Sequence, residues 1–283
     1  YVANGWMELK LAKIYAAGGL VTYFADDYLL DILTDTTERA PTFSLPPFRK
    51  SDDTKSPPSW AFVKNPLTDT SAAWRRTLAR DARCLAWSTE LYKSMGASER
   101  ICEHPPKLDS RELFKFAIGN EPDSSRLAKN GNAAVMVAGC SETRGKSFGD
   151  FEKAFEKSAE HFQETRRLTV GKSSAKGEVI PLEIPDTPLR LMEHLAAKLV
   201  LNTISTGTMV RLGRVAGNWM SFVEMTNKKL VDRSVRLISE LGGLGYEDAC
   251  ALLFESAEEI ARTGLKESPG QHALEKIREQ PEK

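Results

Sequence analysis

The sequence predicts a layered α/β fold with a mostly parallel central sheet, followed by a small all-helical tail. Two short segments rich in β-branched, aromatic and small apolar residues, 20–25 (LVTYFA) and 133–138 (AAVMVA), are typical of buried strands. Helical patterns flank both segments, and this alternation is the order found in domains with a parallel sheet. After Gly217 only helical patterns remain, with no strand signal, which indicates the all-helical tail.

The remaining elements follow from apolar periodicity along the chain. Further strands are predicted where short apolar runs lie between turn residues, at 59–63, 168–170 and 178–184. Helices are predicted where apolar residues recur every three or four positions, at 2–17 (with Ala3 on the apolar face), from Tyr28 onward, and at 71–95, 112–118, 148–162, 188–214, 227–242, 246–263 and 269–279.

Capping and breaking residues set several boundaries of these elements. Gly18-Gly19 ends the first helix, and Asp26-Asp27 stands where the N-cap of the second is expected. Asp186-Thr187-Pro188 combines a capping side chain with a proline in the first turn, which is typical of a helix start. The five prolines within residues 40–58 exclude regular helix and central strand, so we expect a long loop there.

The composition is that of an ordinary globular protein. The 283 residues are 41% hydrophobic and 28% charged, and Lys plus Arg equal Asp plus Glu at 39 each. Zero net charge with dispersed basic residues argues against nucleic-acid binding, and no apolar run reaches the roughly 20 residues of a membrane span. Without a signal peptide, the sequence predicts a cytoplasmic protein with reduced thiols at Cys84, Cys102, Cys140 and Cys250. Neither these nor the histidines show metal-ligand spacing, so we expect no metal and no cofactor.

A polar stripe runs along the predicted helix 188–214. His194, Lys198, Asn202 and Ser205 follow at spacings of four, four and three, which places them on one face. Most other positions are apolar, so we expect this helix to be largely buried. Spacing alone favours a thin solvent-facing edge. The alternative is a stripe lining a pocket, with Lys198 as a point charge for a phosphate or sugar hydroxyl.

Two further segments are candidates for chemistry. Residues 34–43 follow the first strand–helix unit, where Glu38 would be an acid or base if a pocket enclosed it. Composition alone favours an exposed Glu–Arg helix end there. Residues 139–147 (GCSETRGKS) lie between a strand and a helix, but their glycine spacing departs from a nucleotide-binding loop. We expect a solvated loop, with anion binding by its backbone and Lys146 as the alternative.

The chain from Leu199 to Met220 (LVLNTISTGTMVRLGRVAGNWM) resembles the signature helix of N-acetylmuramic acid 6-phosphate etherases. The stretches TNKKL (226–230) and GYEDA (245–249) fit the same family. The LNTxSTG core is also similar to the C-terminal part of the glucokinase regulatory protein, a two-SIS-domain sensor of fructose phosphates. The resemblance implies a SIS-type sugar-phosphate-binding domain at residues 1–222 and a three-helix tail at 223–283.

The resemblance extends to residues 35–43 (DTTERAPTF), which are similar to the etherase pattern D-x-S-E-x-x-P-T-aromatic. It implies that Glu38 is the acid/base that helps to eliminate lactate, with Thr37 where the family has Ser. It also implies that Lys198 meets the sugar phosphate. Thr37, His194 and Asn202 are the further substrate-binding candidates.

The sequence departs from the family at the phosphate loop. The etherase G-x-G-T-S-G-R is replaced by residues 24–28 (FADDY), whose two aspartates would repel a phosphate. The second catalytic Glu, in a G-x-E-D-S setting, and the SSRMKxG stretch have no counterpart. These losses predict the second SIS domain of a two-SIS protein, with an incomplete active site and a first domain before Tyr1 that carries the intact loop.

Three functions stay open at this point. The chain supplies part of the pocket of an etherase-like lyase, or it senses a sugar phosphate without turnover, as the glucokinase regulatory protein does. Alternatively, it is a degenerate SIS domain that dimerises or supports its neighbour. The expected partners are a sugar phosphate and either a second copy in a homodimer or a preceding SIS domain.

Overall fold

The computed structural model describes residues 6–83, 85, 87–127 and 131–279. The predicted positions Ala3 and Cys84 lie outside them. The chain divides into two compact units, here called the sheet unit and the helical unit. The sheet unit comprises residues 17–34 and 46–201, and the helical unit comprises residues 1–16, 35–45 and 202–283.

The sheet unit is built on five parallel strands in the order β2-β1-β3-β4-β5. The strands are β1 (Val21–Phe24), β2 (Ala61–Lys64), β3 (Ala133–Gly139), β4 (Glu164–Val170) and β5 (Glu178–Ile180). The central strand β3 is buried at all seven positions, as expected for a parallel strand covered on both faces. The predicted α/β class with a parallel sheet is confirmed, and it is consistent with a SIS-like layered fold.

Helices flank this sheet. They are α2 (Leu29–Thr42), α3 (Thr70–Leu78), α4 (Thr89–Ser94), α5 (Glu99–Glu103), α6 (Ser110–Phe114), α7 (Ser124–Leu127), α8 (Phe148–Ala159) and α9 (Leu191–Arg211). The later parts of α2 and α9 belong to the helical unit. Short 3₁₀ turns follow β3 (Glu142–Arg144) and precede α9 (Pro188–Arg190).

The packing of α8 on the sheet follows from the side-chain periods of about 3.6 residues in a helix and about two in a strand. Phe151 and Phe155 recur at helical spacing and are buried against alternate residues of the strands, including Phe24 and Met136. The rings of Phe24 and Phe155 lie edge to face, with centroids 5.6 Å apart. This cluster packs α8 against β1 and along β3, from Ala134 to Ala138.

Two helix boundaries differ from the sequence predictions. The single helix predicted at 71–95 is wrong, because α3 ends at Leu78 and Ala79 adopts a left-handed conformation (φ 53) that caps it. The expectation that Pro41 excludes helix is also wrong, since Pro41 lies inside α2. Proline lacks the N–H that the carbonyl four residues earlier would accept, so the last turn of α2 forms one helical hydrogen bond fewer.

The helical unit contains α1 (Trp6–Ala16) and three C-terminal helices that share a core of their own. These are α10 (Lys228–Gly242), α11 (Tyr246–Thr263) and α12 (Pro269–Glu279), which confirms the predicted helical tail. The core includes Val235, Ile238, Leu253 and Leu274. The domain boundary at 222/223 stays a prediction.

A small hairpin precedes the tail, where no strand was expected beyond Gly217. Its strands β6 (Val215–Ala216) and β7 (Trp219–Met220) are antiparallel and joined by Gly217-Asn218. Gly217 has φ 58, which the tight turn requires and glycine adopts without strain. Among the described residues, no helix is long and apolar enough to span a membrane.

Candidate ligand site at the switch point of the sheet

The strand order places a topological switch point between β1 and β3. The chain leaves β1 for β2 on one side and later returns to β3 on the other, so the two connections diverge. Open parallel sheets bind ligands in the crevice at such a point. We call this region the switch-point crevice; it is bordered by Asp26-Asp27 after β1 and by residues 139–142 after β3.

Two arginines bind the aspartates that follow β1. Arg76 of α3 contacts one carboxylate oxygen of Asp26 and one of Asp27, each at 2.6 Å, and Arg190 contacts the second oxygen of Asp27 at 2.8 Å. The Asn65 amide donates to Asp26 Oδ1 at 2.9 Å. Burial disfavours the charge of Asp27, but hydrogen bonds from both guanidinium groups outweigh it and hold the pKa of Asp27 below its usual value. The aspartate charges are therefore balanced within the chain.

Glu142 turns its carboxyl group back from the 3₁₀ turn into the crevice. Its Oε2 accepts the Gly139 N–H at 3.3 Å, and its Oε1 accepts the Asp27 N–H at 3.4 Å. Burial, together with the negative charge of Asp27, raises the pKa of Glu142 to about 8. Backbone donors at the ends of both strands thus point at an internal side chain that is mostly protonated at neutral pH.

Glu193, in the first turn of α9, fills the neighbouring space. Its carboxylate accepts the Ser141 N–H at 2.8 Å and also the Ser141 hydroxyl. Burial opposes this charge, but the Ser141 bonds hold the pKa of Glu193 below its usual value. Tyr28 is fully buried beside it, and burial followed by the Glu193 charge raises the pKa of Tyr28 far above its usual range. A Cβ at Gly139 would overlap both side chains, so only glycine fits there.

An unusual backbone presents Arg190 to the crevice. Leu189 and Arg190 both have positive φ, 58 and 53 degrees, in the left-handed region that costs non-glycine residues about 1 kcal/mol each. The Thr187 hydroxyl accepts the Met192 N–H at 3.2 Å, as a capping side chain does. However, α9 begins only at Leu191, so Pro188 lies before its first turn and not in it as the sequence predicted. A strained backbone persists only where surrounding contacts stabilise it by more than the strain costs, and the ion pair of Arg190 with Asp27 is such a contact.

The switch-point crevice is therefore filled by the chain's own side chains. Sequence reasoning singled out Asp26-Asp27 but missed the groups that contact them, Arg76, Glu142 and Arg190, and it also missed Glu193, which binds Ser141. The only sequence signal for them was the loop GCSETRGKS, which contains Glu142. Expected as a solvated loop, this segment instead directs Glu142 inward, while Lys146 is exposed.

The predicted acid/base Glu38 lies in the helical unit, near the end of α2. Its side chain is 55% exposed, and its carboxylate lies 3.4 Å from Arg39 Nη2. Arg39 is buried and also contacts Asp35 at 3.9 Å and the Thr206 hydroxyl at 3.3 Å. Thr37 is exposed on the same helix. This is an ion-paired helix end, and the catalytic role of Glu38 stays a prediction.

His194 and Lys198 lie in the sheet unit, on the first half of α9. The Nδ1 atom of His194 is 2.8 Å from Asp31 Oδ2, and its ring lies beside Tyr28 with centroids 5.0 Å apart. Burial raises the pKa of Asp31 even though His194 and Lys198 act against it. Asn202, one turn beyond Lys198, is partly buried and belongs to the helical unit. The substrate-binding roles stay predictions.

The expectation that this helix is largely buried holds on one face only. Ala197, Leu201 and Ile204 are buried, whereas Leu191 and Leu195 are 65% and 48% exposed. Within the helical unit, Gly207 of the LNTISTG segment allows α1 to approach, because a Cβ there would come within 2.8 Å of Glu8 Cγ. That glycine thus has a packing role.

Among the described residues there are two groups of acidic and histidine side chains, and within each group the possible ligand atoms lie within 4.8 Å of one another. The groups are Asp26/Asp27/Glu142 and Glu267/His272/Glu275. The first is engaged by the arginines. In the second, His272 is held by Glu267 at 3.0 Å and by Glu259 at 3.3 Å. The expected absence of a metal stays a prediction. Cys102, Cys140 and Cys250 are free thiols.

Comparison with known proteins relates part of the chain to one enzyme family. The N-acetylmuramic acid 6-phosphate etherase of Microcystis aeruginosa is 42% identical over 97 residues, which is 32% of this chain and 32% of the etherase. The etherases of Porphyromonas gingivalis (42% over 81 residues) and Salmonella paratyphi B (43% over 91 residues) match 28% and 30% of the chain. The aligned region thus spans about a third of the length of these curated relatives. No protein-family model matches.

Proposed function

We propose that this chain is the sugar-phosphate-binding part of an etherase-like carbon–oxygen lyase, which cleaves the lactyl ether of an amino-sugar 6-phosphate. The observation that carries this proposal is the identity of about 42% to N-acetylmuramic acid 6-phosphate etherases over nearly a third of the chain. A SIS-type fold for residues 1–222 and a cytoplasmic location belong to the same proposal. The parallel sheet with its switch point supports a ligand-binding scaffold.

Within this proposal, elimination of lactate needs a proton acceptor at the sugar carbon and a proton donor for the leaving oxygen. We assign one of these roles to Glu38, whose side chain near the end of α2 is 55% exposed. Thr37, His194 and Asn202 are assigned to substrate contacts. Lys198 is assigned to the phosphate or a sugar hydroxyl as a point charge.

Because the switch-point crevice is filled, we propose that this chain provides only part of the active site. Asp27 is bound by Arg76 and Arg190, and the backbone donors of Gly139 and Ser141 are taken by Glu142 and Glu193. A phosphate would have to displace these groups. We therefore propose that a preceding SIS domain, or a second copy of the chain, supplies the phosphate-holding half.

Release of lactate from N-acetylmuramic acid 6-phosphate by the full-length protein tests the enzymatic proposal. We expect Glu38→Gln to lose most of this activity, by about 100-fold or more, because the amide neither accepts nor donates the proton. Glu255→Gln, a change at an exposed residue of α11, is the matched control. Equal activity in Glu38→Gln and the control would remove Glu38 from the site.

The filled crevice also favours a second candidate, a sensor that binds a sugar phosphate without turnover. A degenerate domain that only dimerises is the remaining alternative. If the sensor function is correct, an amino-sugar 6-phosphate raises the thermal midpoint by linkage, and Lys198→Ala abolishes this shift. Lys157→Ala, exposed on α8, serves as the control for the lost charge. If no hexose or amino-sugar phosphate shifts the thermal midpoint, the sensor function is excluded and the degenerate structural domain remains.

A further inference from the structure

Along the same edge of the sheet unit, a polar cavity of about 510 Å³ lies beyond the end of β4. One wall is the loop 171–177 (GKSSAKG) between β4 and β5, and the others come from α8 and from Arg144 of the 3₁₀ turn. A neighbouring cavity of about 480 Å³ shares Arg144 and Lys172. We call the larger one the β4 cavity.

Positive charge exceeds negative charge in the β4 cavity. Its lining includes four cationic side chains, Arg144, Arg167, Lys172 and Lys176, against two carboxylates, Glu152 and Glu156. Arg167 is paired with Glu156 at 2.6 Å, and Lys172 is paired with Glu183. Among the described residues, Arg144 and Lys176 form no ion pair with a carboxylate. Glu152 offsets part of their charge, because it is the lining carboxylate outside the Arg167–Glu156 pair, and the lining keeps a net positive charge for an anion.

The loop that forms the cavity wall is held in place by its own hydrogen bonds. The Ser173 hydroxyl accepts the Ala175 N–H at 3.1 Å and lies 2.9 Å from the Thr143 hydroxyl, which ties the loop to the 3₁₀ turn. Gly177 has φ 108, and a Cβ there would approach the Arg167 carbonyl at 2.8 Å, so the end of the loop is closely packed. A loop ordered in advance lowers the entropic cost of binding.

We propose that the β4 cavity binds a phosphate monoester, with Arg144 and Lys176 as the charged ligands and the Ser174 hydroxyl as a further donor. Arginine and lysine bind phosphate oxygens through short charge-assisted hydrogen bonds. The site is separate from the switch-point crevice, where Glu142 and Glu193 accept the hydrogen bonds of the backbone N–H groups. It goes beyond the proposed function, because it uses neither Glu38 nor Lys198 and requires no turnover.

Isothermal titration calorimetry on the full chain tests this site, with inorganic phosphate, glucosamine 6-phosphate and unphosphorylated glucosamine as probes. We expect both phosphates to bind and glucosamine not to bind. Arg144→Ala and Lys176→Ala should each weaken phosphate binding about tenfold, the effect of losing one charge-assisted hydrogen bond. Lys146→Ala, a change of the same charge in the same exposed loop but outside the cavity lining, should bind phosphate as the wild type does.

Two results would overturn the site. One is the absence of phosphate binding to the wild type at about 10 mM, above the weakest affinity of interest. The other is an equal loss in Lys146→Ala, which would indicate general electrostatic attraction. If glucosamine 6-phosphate binds and only Lys198→Ala weakens it, the proposed function stands and the β4 cavity fails. If only Arg144→Ala and Lys176→Ala weaken it, the cavity stands and the role of Lys198 fails.

Discussion

At the scale of single residues, Glu142 makes the stability of the sheet unit depend on pH. Its pKa is about 8 in the folded chain, against an ordinary value of 4.5. Between these values the folded chain holds a proton that the unfolded chain releases, so stability falls as pH rises. The contribution of Glu142 is complete below about pH 4.5 and is lost as pH rises through about 8.

We therefore predict that Glu142→Gln flattens the pH dependence of stability. Glutamine does not titrate, so the variant should keep its stability between about pH 5 and 8.5, where the wild type should lose on the order of 3 kcal/mol. Its amide has one acceptor oxygen for the two backbone N–H groups of Gly139 and Asp27, so the variant should be less stable than the wild type at about pH 5. Denaturant unfolding at about pH 5, 7 and 8.5 measures the difference. Glu255→Gln should follow the wild-type profile; a Glu142→Gln profile parallel to both would contradict the prediction.

The residue scale also shows why sequence reasoning found only half of the crevice. Asp26-Asp27 were visible because they replace an expected phosphate loop. Arg76 and Arg190 were not, since they lie 49 and 163 residues from Asp27 along the chain. No local pattern links residues so far apart, and only the parallel packing of the strands brings them together.

At the scale of elements, α3 presents Arg76 to the aspartates. The Asp69 side chain caps its start by accepting the Ala72 N–H at 2.8 Å, and Ala79 closes its end in the left-handed region. An alanine in that conformation costs about 1 kcal/mol more than glycine. The position of Arg76 thus depends on a helix whose end is strained.

Ala79→Gly should therefore stabilise the chain by about 0.5–1 kcal/mol, because glycine adopts the left-handed cap without strain. Ala72→Gly, inside α3, is the opposite control and should destabilise by about 1 kcal/mol through lost helix propensity. The free energy of unfolding from denaturant titration measures both. A loss of stability in both variants would show that the cap conformation is not strained in solution.

At the scale of the whole molecule, the exposed face of α9 bears on assembly. Leu191, Met192 and Leu195 lie on consecutive turns at its start and are all exposed. A contiguous exposed apolar face is typical of an interaction surface. It supports the proposed homodimer, which buries such a face in a symmetric contact.

If the proposed homodimer forms through this face, we predict that Leu195→Glu leaves the chain monomeric, because a carboxylate in an apolar contact costs several kcal/mol of association free energy. Sedimentation velocity over a concentration series measures the change. Leu265→Glu, at an exposed leucine in the turn before α12, should leave the oligomeric state unchanged. A wild-type chain that is monomeric at all concentrations would exclude the homodimer.

The sequence by itself determined the fold class, the five strands and the three C-terminal helices. These follow from local apolar periodicity, which is written in consecutive residues such as 133–138 and 246–263. It also determined the kinship with etherases, since the segment from Leu199 to Met220 is a continuous motif. It did not predict that α2 continues through Pro41 or that α3 ends at Leu78.

Only the tertiary structure decided the state of the switch-point crevice. The two aspartates predicted to repel a phosphate are paired with Arg76 and Arg190. The carboxyl groups of Glu142 and Glu193 accept hydrogen bonds from the backbone N–H groups at the end of β3 and after it. The Coulomb energy of a charge pair depends on the distance between the two groups in space. Sequence spacing does not encode that distance. For that reason the sequence identified a ligand-binding scaffold, while the structure showed that its central crevice is closed by the chain itself.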